Sequence, residues 1–404
     1  MAQTTTAAGA RTAKGAGGGF AVAAVTFAFW ITMAGTTAPT PLYPLYGGAF
    51  GFSPFTVTVI FAVYALGVVC GLLVFGRLSD QIGRRPTLVA ATGLSVAAAA
   101  LFLVAQNVAV LLLARVVSGF SAALVTGAAT AALTELVPPD GRVRPATLAL
   151  FANMGGLAGG TLLAGVLADI APAPLRTPWV VMLALAAAGL VGAACTRESA
   201  AHRSGLSLQL QPLHVPAEIR SDFLRSAMAA GAGFSVLGVL TAVTGLFLGQ
   251  VLHQPSHTLA GFAVFLAFAC TALGQLLNRF VSAAAALPAA CAGLVLAGAL
   301  IIAAMATGSL APLLAAAVAN GLATGVAISH GIGGITTRSA PQHRGASVST
   351  FFAILYSMLA VPAIGVGVLI QQSSLRPAGE VFGGLVALLA LAVLLSLVRT
   401  GKPR

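Results

Sequence analysis

Residues 54–85 read PFTVTVIFAVYALGVVCGLLVFGRLSDQIGRR. The first 22 of them, Pro54–Phe75, contain no charged residue, and about 20 apolar residues suffice for a helix that spans a membrane. Glycine and arginine residues then end the apolar run. The stretch predicts one spanning helix followed by a positively charged loop that turns the chain back into the membrane.

The whole chain has the composition of a membrane protein. Of its 404 residues, 58% are hydrophobic and 7% are charged, whereas soluble domains average about 45–50% apolar and about 25% charged residues. These proportions exclude a water-soluble enzyme, a disordered chain and a disulfide scaffold. The long apolar runs do not alternate in polarity as the strands of an outer-membrane barrel do. The chain is therefore predicted to be an all-α polytopic membrane protein.

Hydropathy along the chain predicts twelve spanning helices, in two groups of six. They are Phe20–Thr40, Pro54–Phe75, Pro86–Val104, Val108–Leu133, Ala146–Leu167, Trp179–Cys195, Ala227–Val251, Leu259–Leu277, Ala283–Met305, Leu310–Gly334, Ala346–Ile370 and Val381–Leu397. The predicted organisation is an N-terminal tail (1–19), a six-helix bundle (20–195), a central loop (196–225), a second six-helix bundle (226–398) and a C-terminal tail (399–404).

The basic residues assign an orientation to these helices. If the N-terminus is cytoplasmic, 17 of the 20 Lys and Arg residues lie in cytoplasmic segments, and the outer loops hold only Arg176 and Arg376. Cytoplasmic loops of membrane proteins carry such an excess of basic residues. We expect both tails and the central loop to be cytoplasmic and the protein to lie in the cell membrane. The net charge of +12 then reflects topology, with no role for nucleic acid.

The two halves of the chain show weak internal similarity. Each matching pair lies at the same position in its half, and such duplicated halves are typical of secondary transporters with a site near the bilayer midplane. The pattern predicts two pseudo-symmetric bundles that move a small-molecule substrate across the lipid bilayer. The pairs are Gly76–Asp80 with Gly274–Asn278, Ser118-Gly119 with Asn320-Gly321, and Arg144–Ala146 with Arg344–Ala346, at offsets of 198, 202 and 200 residues.

The loop between the second and third spans carries the most specific motif, and we call Gly76–Arg85 the signature loop. It resembles the signature loop of the major facilitator superfamily, with Gln81 in place of a usual basic residue. The resemblance implies that family's fold and a monomeric transporter. The residues that match are Gly76, Leu78, Asp80, Gly83, Arg84 and Arg85.

The same resemblance implies a conformational switch at this loop. The Asp80 carboxylate is expected to accept hydrogen bonds from the N-terminus of the eleventh span, near Ala346 and Ser347, in one state of the transport cycle. Two roles are open for Arg84 and Arg85. Either they pair with acids or lipid headgroups, or they serve only as determinants of topology.

In the fourth span, Arg115 and Gly119 resemble the R-x-x-x-G element of the same family. An arginine inside a span is costly and is a functional candidate by default. Arg115 is expected to face the transport cavity. The alternative is an arginine whose side chain reaches the outer interface along its helix.

The fifth span resembles the family's antiporter motif in Gly156, Gly160 and Gly165, but Thr161 replaces the motif's proline. The small residues allow close helix packing or bending, with or without a role in coupling. In the eleventh span, Pro362 is expected to kink the helix. Polar or aromatic residues within spans face either the cavity or a neighbouring helix. These candidates are Trp30, Tyr64, Asn153, Asn320 and Tyr356.

No span has an Asp or Glu residue near its centre. His330 is the best-placed titratable alternative for a proton relay, but the favoured role is a hydrogen bond to a neighbouring helix. A cavity with an arginine and no acid favours a neutral or weakly anionic, partly apolar solute.

The chain has no phosphate-binding loop, catalytic motif or metal-ligand spacing. We therefore expect no cofactor or metal, and an ion or solute gradient as the energy source; the resemblance implies that this is a proton gradient.

The resemblance is greatest to the drug and metabolite efflux branch and implies proton-coupled efflux by alternating access. A metabolite uptake symporter or a uniporter is the alternative within transport. A membrane sensor or scaffold on the same fold is the alternative from another class. For a membrane-embedded enzyme the sequence offers no catalytic constellation.

Overall fold

The computed structural model describes residues 4–138, 143–199, 213, 215 and 217–400. These residues form fourteen α-helices and three short 3-10 turns, and they contain no β-strand. The helices are α1 (Thr4–Thr37), α2 (Tyr43–Phe50), α3 (Pro54–Phe75), α4 (Leu78–Ile82), α5 (Arg84–Leu103), α6 (Val108–Leu136), α7 (Pro145–Ile170), α8 (Thr177–Cys195), α9 (Arg220–Gln250), α10 (His257–Leu277), α11 (Ala283–Thr307), α12 (Leu310–Arg338), α13 (Pro341–Gln372) and α14 (Leu375–Thr400).

Within the described part of the chain, twelve helices are long and apolar enough to cross a membrane. The two short ones are α2 and α4, which lie in the connections on either side of α3. The predicted number of spans and the all-helical fold class are thus confirmed. Each observed helix covers most of the corresponding predicted span, and several extend beyond it at one end or both.

Local sequence sets where several helices begin and end. Ser53, Asn107 and Ser256 each accept a hydrogen bond from a backbone N–H in the first turn of α3, α6 and α10, which satisfies a donor that the helix leaves unpaired. Gly51 and Gly308 end α2 and α11 in the left-handed conformation, which glycine adopts without a steric penalty.

The helices pack in the same pattern twice. In the first half, α3 and α5 pack against α6, α1 packs against α6, α7 and α8, and α5 packs against α8. In the second half, α10 and α11 pack against α12, α9 packs against α12, α13 and α14, and α11 packs against α14. Every pair in the first list has its counterpart in the second. The two halves meet mainly through α7 with α10 and α3 with α13, which are also counterparts.

One internal similarity in the sequence has a direct structural reason. A Cβ atom added at Gly119 would lie 2.5 Å from the backbone oxygen of Tyr64, and one added at Gly321 would lie 2.5 Å from that of Ala267. Both distances are shorter than real Cβ contacts. Each glycine therefore allows the fourth helix of its half to touch the second.

Three segments differ from the predicted organisation, the first of which is the end of the predicted central loop, where α9 already begins at Arg220. Helix α1 begins at Thr4, so most of the predicted N-terminal tail is helical and continuous with the first span. Helix α14 runs to Thr400, into the predicted C-terminal tail. In the predicted central loop, residues 200–212, 214 and 216 lie outside the described residues, as do 401–404.

Candidate functional site: a cavity between the two halves

A cavity of about 820 Å³ lies where the two halves meet. Helices α1, α3, α6 and α7 line it from the first half, and α9, α10 and α13 line it from the second. We call it the central cavity.

Among the described residues that line the central cavity, none is charged and none is a histidine. Aliphatic and aromatic side chains form most of the wall, and hydroxyl groups and one amide provide its polar atoms. Such a wall can hold an apolar body and orient it through a few hydrogen bonds. The polar members are Thr36, Thr37, Tyr64, Thr126, Asn153, Thr241, Thr271 and Tyr356.

Aromatic side chains from both halves meet in this wall. The rings of Tyr64 and Tyr356 are edge to face, with centroids 6.5 Å apart, and Phe234 meets Tyr356 in the same way at 5.8 Å. Tyr64 belongs to α3, Phe234 to α9 and Tyr356 to α13. Because a solute in the central cavity would touch all three rings, its binding is linked to the relative position of the halves.

The central cavity continues into a wider cavity of about 1620 Å³. The two share Leu72, Asn153 and Phe234 among other wall residues, and the wider one reaches Ser79 in the signature loop and Val348 near the start of α13. The molecule is therefore open on the side that carries the signature loop. We call this the signature-loop side and the other the opposite side.

On the opposite side, a carboxylate of one half caps a helix of the other. The Asp169 side chain, near the end of α7, accepts hydrogen bonds from the backbone N–H of His257 at 3.1 Å and of Thr258 at 2.8 Å. It also accepts one from the hydroxyl of Ser256 at 3.1 Å. Negative charge is favourable at a helix N-terminus, where N–H groups have no partner within the helix. We call Asp169 with Ser256–Thr258 the opposite-side latch.

Tight backbone contacts surround the latch. Gly165 in α7 leaves no room for a Cβ against the backbone of His257, and Gly261 in α10 leaves none against that of Thr161. The Thr161 hydroxyl also reaches the backbone oxygen of Gly261 at 3.1 Å. The hydroxyl of Thr161, which replaces the motif's proline, is thus shared between Gly261 in the other half and the backbone oxygen of Ala158 in its own helix at 2.8 Å.

The first span contributes to the same closure. Nδ1 of His257 lies 2.9 Å from the backbone oxygen of Pro41, in the turn between α1 and α2. The side chain of Pro44 packs against Gly245 of α9, and Gly367 of α13 packs against the side chain of Thr58. The opposite side is therefore closed along three contacts, α7 with α10, α2 with α9 and α3 with α13, and each of them includes a glycine.

The signature loop forms a polar cluster within its own half. The Arg84 guanidinium pairs with the Asp80 carboxylate and with Glu135 of α6, at 3.0 Å for the latter. Arg85 donates to the backbone oxygen of Ala194. Gly83 has a φ of 110°, which favours glycine. Gly76 ends α3, and Leu78 begins the short helix α4.

The expected contact between Asp80 and the start of α13 is not present in this state. The Asp80 side chain is 64% exposed, and its described partner is Arg84. The physical reason is the wider cavity, which separates the signature loop from Val348. Arg84 and Arg85 thus each have specific hydrogen-bond partners in this state, in addition to the topological role predicted for them.

Arg115 does not line the central cavity, contrary to the expectation, and it does not reach the outer interface. Its side chain is fully buried. It donates to the backbone oxygen of Thr36 and, through Nε at 3.0 Å, to the hydroxyl of Tyr43, and its guanidinium lies 5.4 Å from the ring centre of Tyr64. Tyr43 is the first residue of α2. Arg115 thus ties α6 to the segment that carries the opposite-side contacts of Pro41 and Pro44.

Two groups of candidates pack within the first half. Trp30 packs against Gly155 and Gly159 of α7 and is not among the residues that line the central cavity. The backbone of α1 passes so close to Gly156 and Gly160 that neither has room for a Cβ. These glycines therefore set the approach of α1 and α7 within one half, whereas Gly165 acts between the halves.

The remaining candidates divide between the cavity and the second half. Tyr64, Asn153 and Tyr356 line the central cavity. Asn320 is buried and donates to the backbone oxygen of Gly233 at 3.3 Å, so it joins α12 to α9. His330 lies in a separate small cavity with Asp222 and Arg338 on the signature-loop side. Pro362 lies within α13 and outside the cavity wall.

The sequence analysis missed the opposite-side latch. Asp169 is one of eight acidic residues, and Ser256 is a recognisable helix-start residue. The two lie 87 positions apart, and no sequence signal joins them. Only the packing of α7 against α10 brings the carboxylate to the helix N-terminus.

Comparisons with known proteins agree with this architecture. The family model described as Major Facilitator Superfamily matches residues 25–363. A segment of 99 residues is 31% identical to the arabinose-proton symporter of Bacillus subtilis (strain 168), and it spans 23% of the present chain and 21% of the symporter. The match thus covers about a fifth of that relative.

Three solved transporters share the fold at low sequence identity. A bacterial homolog of the human lysosomal transporter Spinster, in an inward-facing and unoccupied conformation, gives a TM-score of 0.71 at 17% identity, with 95% of this chain and 97% of that chain covered. The nucleoside transporter NupG gives 0.73 at 10% identity, covering 95% and 100%. The human organic anion transporter TETRAN gives 0.66 at 17% identity, covering 93% and 99%.

Proposed function

The chain belongs to the major facilitator superfamily and is a multi-pass membrane transporter rather than an enzyme, and from this premise we propose that it carries a neutral, partly apolar solute by alternating access. The observation that carries the proposal is the uncharged wall of the central cavity. Moving an ion from water into such a wall leaves its charge uncompensated, which costs several kcal/mol. A neutral molecule avoids this cost.

The position of Arg115 supports the neutral class over the weakly anionic one. Its guanidinium is fully buried behind the cavity wall, where it donates to the backbone oxygen of Thr36 and to the hydroxyl of Tyr43. An anionic solute would therefore meet no cationic side chain among the described residues of the wall.

The asymmetry of the two sides supports alternating access. The central cavity is open on the signature-loop side, and the opposite-side latch and the glycine contacts close the other. The excess of basic residues assigns the signature-loop side to the cytoplasm. In this assignment the described state is inward-open, in the cell membrane, and the chain acts as a monomer.

Direction and coupling form the finer part of the proposal. Resemblance to the efflux branch favours export driven by protons. The described cavity wall contains no carboxylate or imidazole that could exchange a proton with the solute, and this favours a second candidate, uncoupled facilitated transport. His330 does not lie in this wall.

Flux in proteoliposomes tests the proposal. A panel of neutral, anionic and cationic solutes of similar size is offered under an imposed pH gradient, with a pH-sensitive dye inside. We expect saturable flux of neutral solutes only. Proton movement coupled to that flux identifies antiport, and flux without it identifies a facilitator. Flux of ions in preference to neutral solutes contradicts the proposal, and failure to transport any class favours the sensor or scaffold alternative.

A variant of the cavity wall provides a sharper version of this test. Asn153→Asp places a carboxylate in the uncharged wall and should lower neutral-solute flux about tenfold, because the half-buried charge has no cationic partner in the wall and holds water where the apolar body of the solute would lie. Asn107→Asp adds the same charge at the exposed start of α6, outside the wall, and keeps the oxygen that accepts from the N–H of Val110, so it is the matched control. Equal neutral-solute flux through the wild type and Asn153→Asp would contradict the proposed site.

A further inference from the structure

Gly127, within α6, has no packing reason to be a glycine in this state. A Cβ atom added there would meet no heavy atom within 4 Å, and Gly127 is not among the glycines with a positive φ. Glycine destabilises a helix relative to alanine, because its backbone loses more conformational freedom on folding. Gly119, about two turns earlier in α6, shows the usual reason for accepting this cost, since its added Cβ would overlap the backbone of Tyr64.

The space around Gly127 belongs to the wider cavity. Gly127 is exposed and lies in the wall of that cavity. The other described glycines whose added Cβ would meet open space lie outside the walls of both the central and the wider cavity. Gly127 is therefore the one glycine of this kind, in the described part of the chain, that faces the space between the halves.

The position of Gly127 along α6 places it beside the junction of the two cavities. Ala123 and Thr126 line both cavities, whereas Gly127 lines only the wider one. The end of α6 lies on the signature-loop side, where Glu135 pairs with Arg84. Because residues four positions apart are neighbours on one helix face, Gly127 lies one turn nearer that side than Ala123. A solute that moves from the wider to the central cavity along this face passes Gly127 before it reaches Ala123.

The size of residue 127 affects the width of this passage. The second half contributes bulky side chains to the wall of the wider cavity, among them Ile328, Ile332 and Phe352. Around Gly127, by contrast, α6 contributes Ala123 and Ala131, one turn away on either side. A larger side chain at position 127 would meet no protein atom near its Cβ and would extend into the passage.

We propose that Gly127 is a specificity-determining residue, which sets the largest cross-section of solute that can pass between the wider and the central cavity. The inference rests on the proposed function, since it concerns the route of the transported solute. A side chain at this position would exclude larger solutes from the passage. Smaller solutes would still pass, and the wall of the central cavity would be unchanged, because Gly127 is not part of it.

Thiol labelling tests the passage without a known solute. Thr241→Cys, in a variant without the four native cysteines, places one thiol in the wall of the central cavity and outside that of the wider one. Because the opposite side is closed, a reagent reaches this thiol by way of Gly127. The probes are methyl and benzyl methanethiosulfonate, two neutral reagents that differ in size. Gly127→Leu should slow labelling by the benzyl reagent about tenfold, through steric overlap, and should leave labelling by the methyl reagent unchanged.

Gly93→Leu in α5 is the matched control, because its added Cβ also meets open space and the residue lies outside both cavity walls. It should leave both labelling rates unchanged. The proposal is overturned if a folded Gly127→Leu variant slows neither reagent, or slows both equally, as a shift of the halves would. It is also overturned if neither reagent reaches Thr241→Cys when Gly127 is present. Failure of the proposed function is seen separately, as the absence of neutral-solute flux in proteoliposomes while labelling keeps its dependence on reagent size.

Discussion

Asp169 and Arg115 are charged side chains that act on the same closed side of the molecule from different positions. Asp169 is exposed and joins the halves through three hydrogen bonds to the start of α10. Arg115 is buried and joins α6 to the Thr36–Tyr43 segment within one half. The first acts between the halves, and the second positions a segment that takes part in the closure.

Substitution of Asp169 by Asn should weaken the opposite-side latch. The amide keeps one acceptor oxygen but loses the negative charge that faces the helix N-terminus. Because the site is exposed, we expect a loss of about 1 kcal/mol, or about a fivefold shift towards the open latch. Hydrogen exchange of the amides at the start of α10 should accelerate accordingly. Glu380→Gln removes an opposite-side carboxylate that is not in the latch, and acceleration there as well would refute the specific role of Asp169.

Substitution of Arg115 by Lys should lower the rate of transport without changing the apparent solute affinity. Lysine keeps the charge but cannot donate to Thr36 and Tyr43 with the same fixed geometry. We expect the variant to be about 1–3 kcal/mol less stable. The measurement is KM and kcat for flux, together with thermal unfolding. A raised KM at unchanged stability would instead place Arg115 in contact with the solute.

At the scale of elements, glycine contacts determine which helices approach closely. Those in α7 act in two places, because Gly156 and Gly160 face α1, whereas Gly165 faces α10. A single helix thus belongs to the packing of its half and to a contact between the halves, which separates in the proposed transport cycle. Small residues at interfaces give such close contacts in membranes, where the hydrophobic effect between helices is absent.

Gly261→Val should separate α7 and α10 and favour opening of the opposite side. The added side chain would overlap the backbone of Thr161, and overpacking costs about 1–3 kcal/mol. Gly384→Val in α14 meets open space and provides the control. Distances between spin labels on the opposite-side ends of α7 and α10 should lengthen only in Gly261→Val. Unchanged distances in a folded Gly261→Val variant would show that this contact does not hold the halves together.

Much at the element scale could be predicted from the sequence. Long apolar runs interrupted by Gly, Pro and Arg specify spanning helices, and the Gly119 and Gly321 pair reflects repeated packing. The partners of Arg115 could not be predicted, because Thr36 and Tyr43 are 79 and 72 positions away. The contacts of Asp80 in this state could not be predicted either, because they depend on which side of the molecule is open.

At the scale of the whole molecule, the repeated halves explain why closure involves two related contacts. The pairs α7 with α10 and α3 with α13 are exchanged by the duplication. Rocking one half against the other would open both pairs together and narrow the wider cavity near Ser79 and Val348. The solute would stay between Tyr64 and Tyr356 throughout.

The most direct test of this account is side-specific labelling of Thr134→Cys in a variant without the four native cysteines. Thr134 is exposed in the wider cavity. A membrane-impermeant maleimide should react from the signature-loop side only, and adding Asp169→Asn should slow the reaction as the opposite side opens. Thr307→Cys, exposed at the end of α11, should react from the opposite side in both backgrounds. Labelling of Thr134→Cys from the opposite side, or at a rate unaffected by Asp169→Asn, would contradict alternating access controlled by the latch.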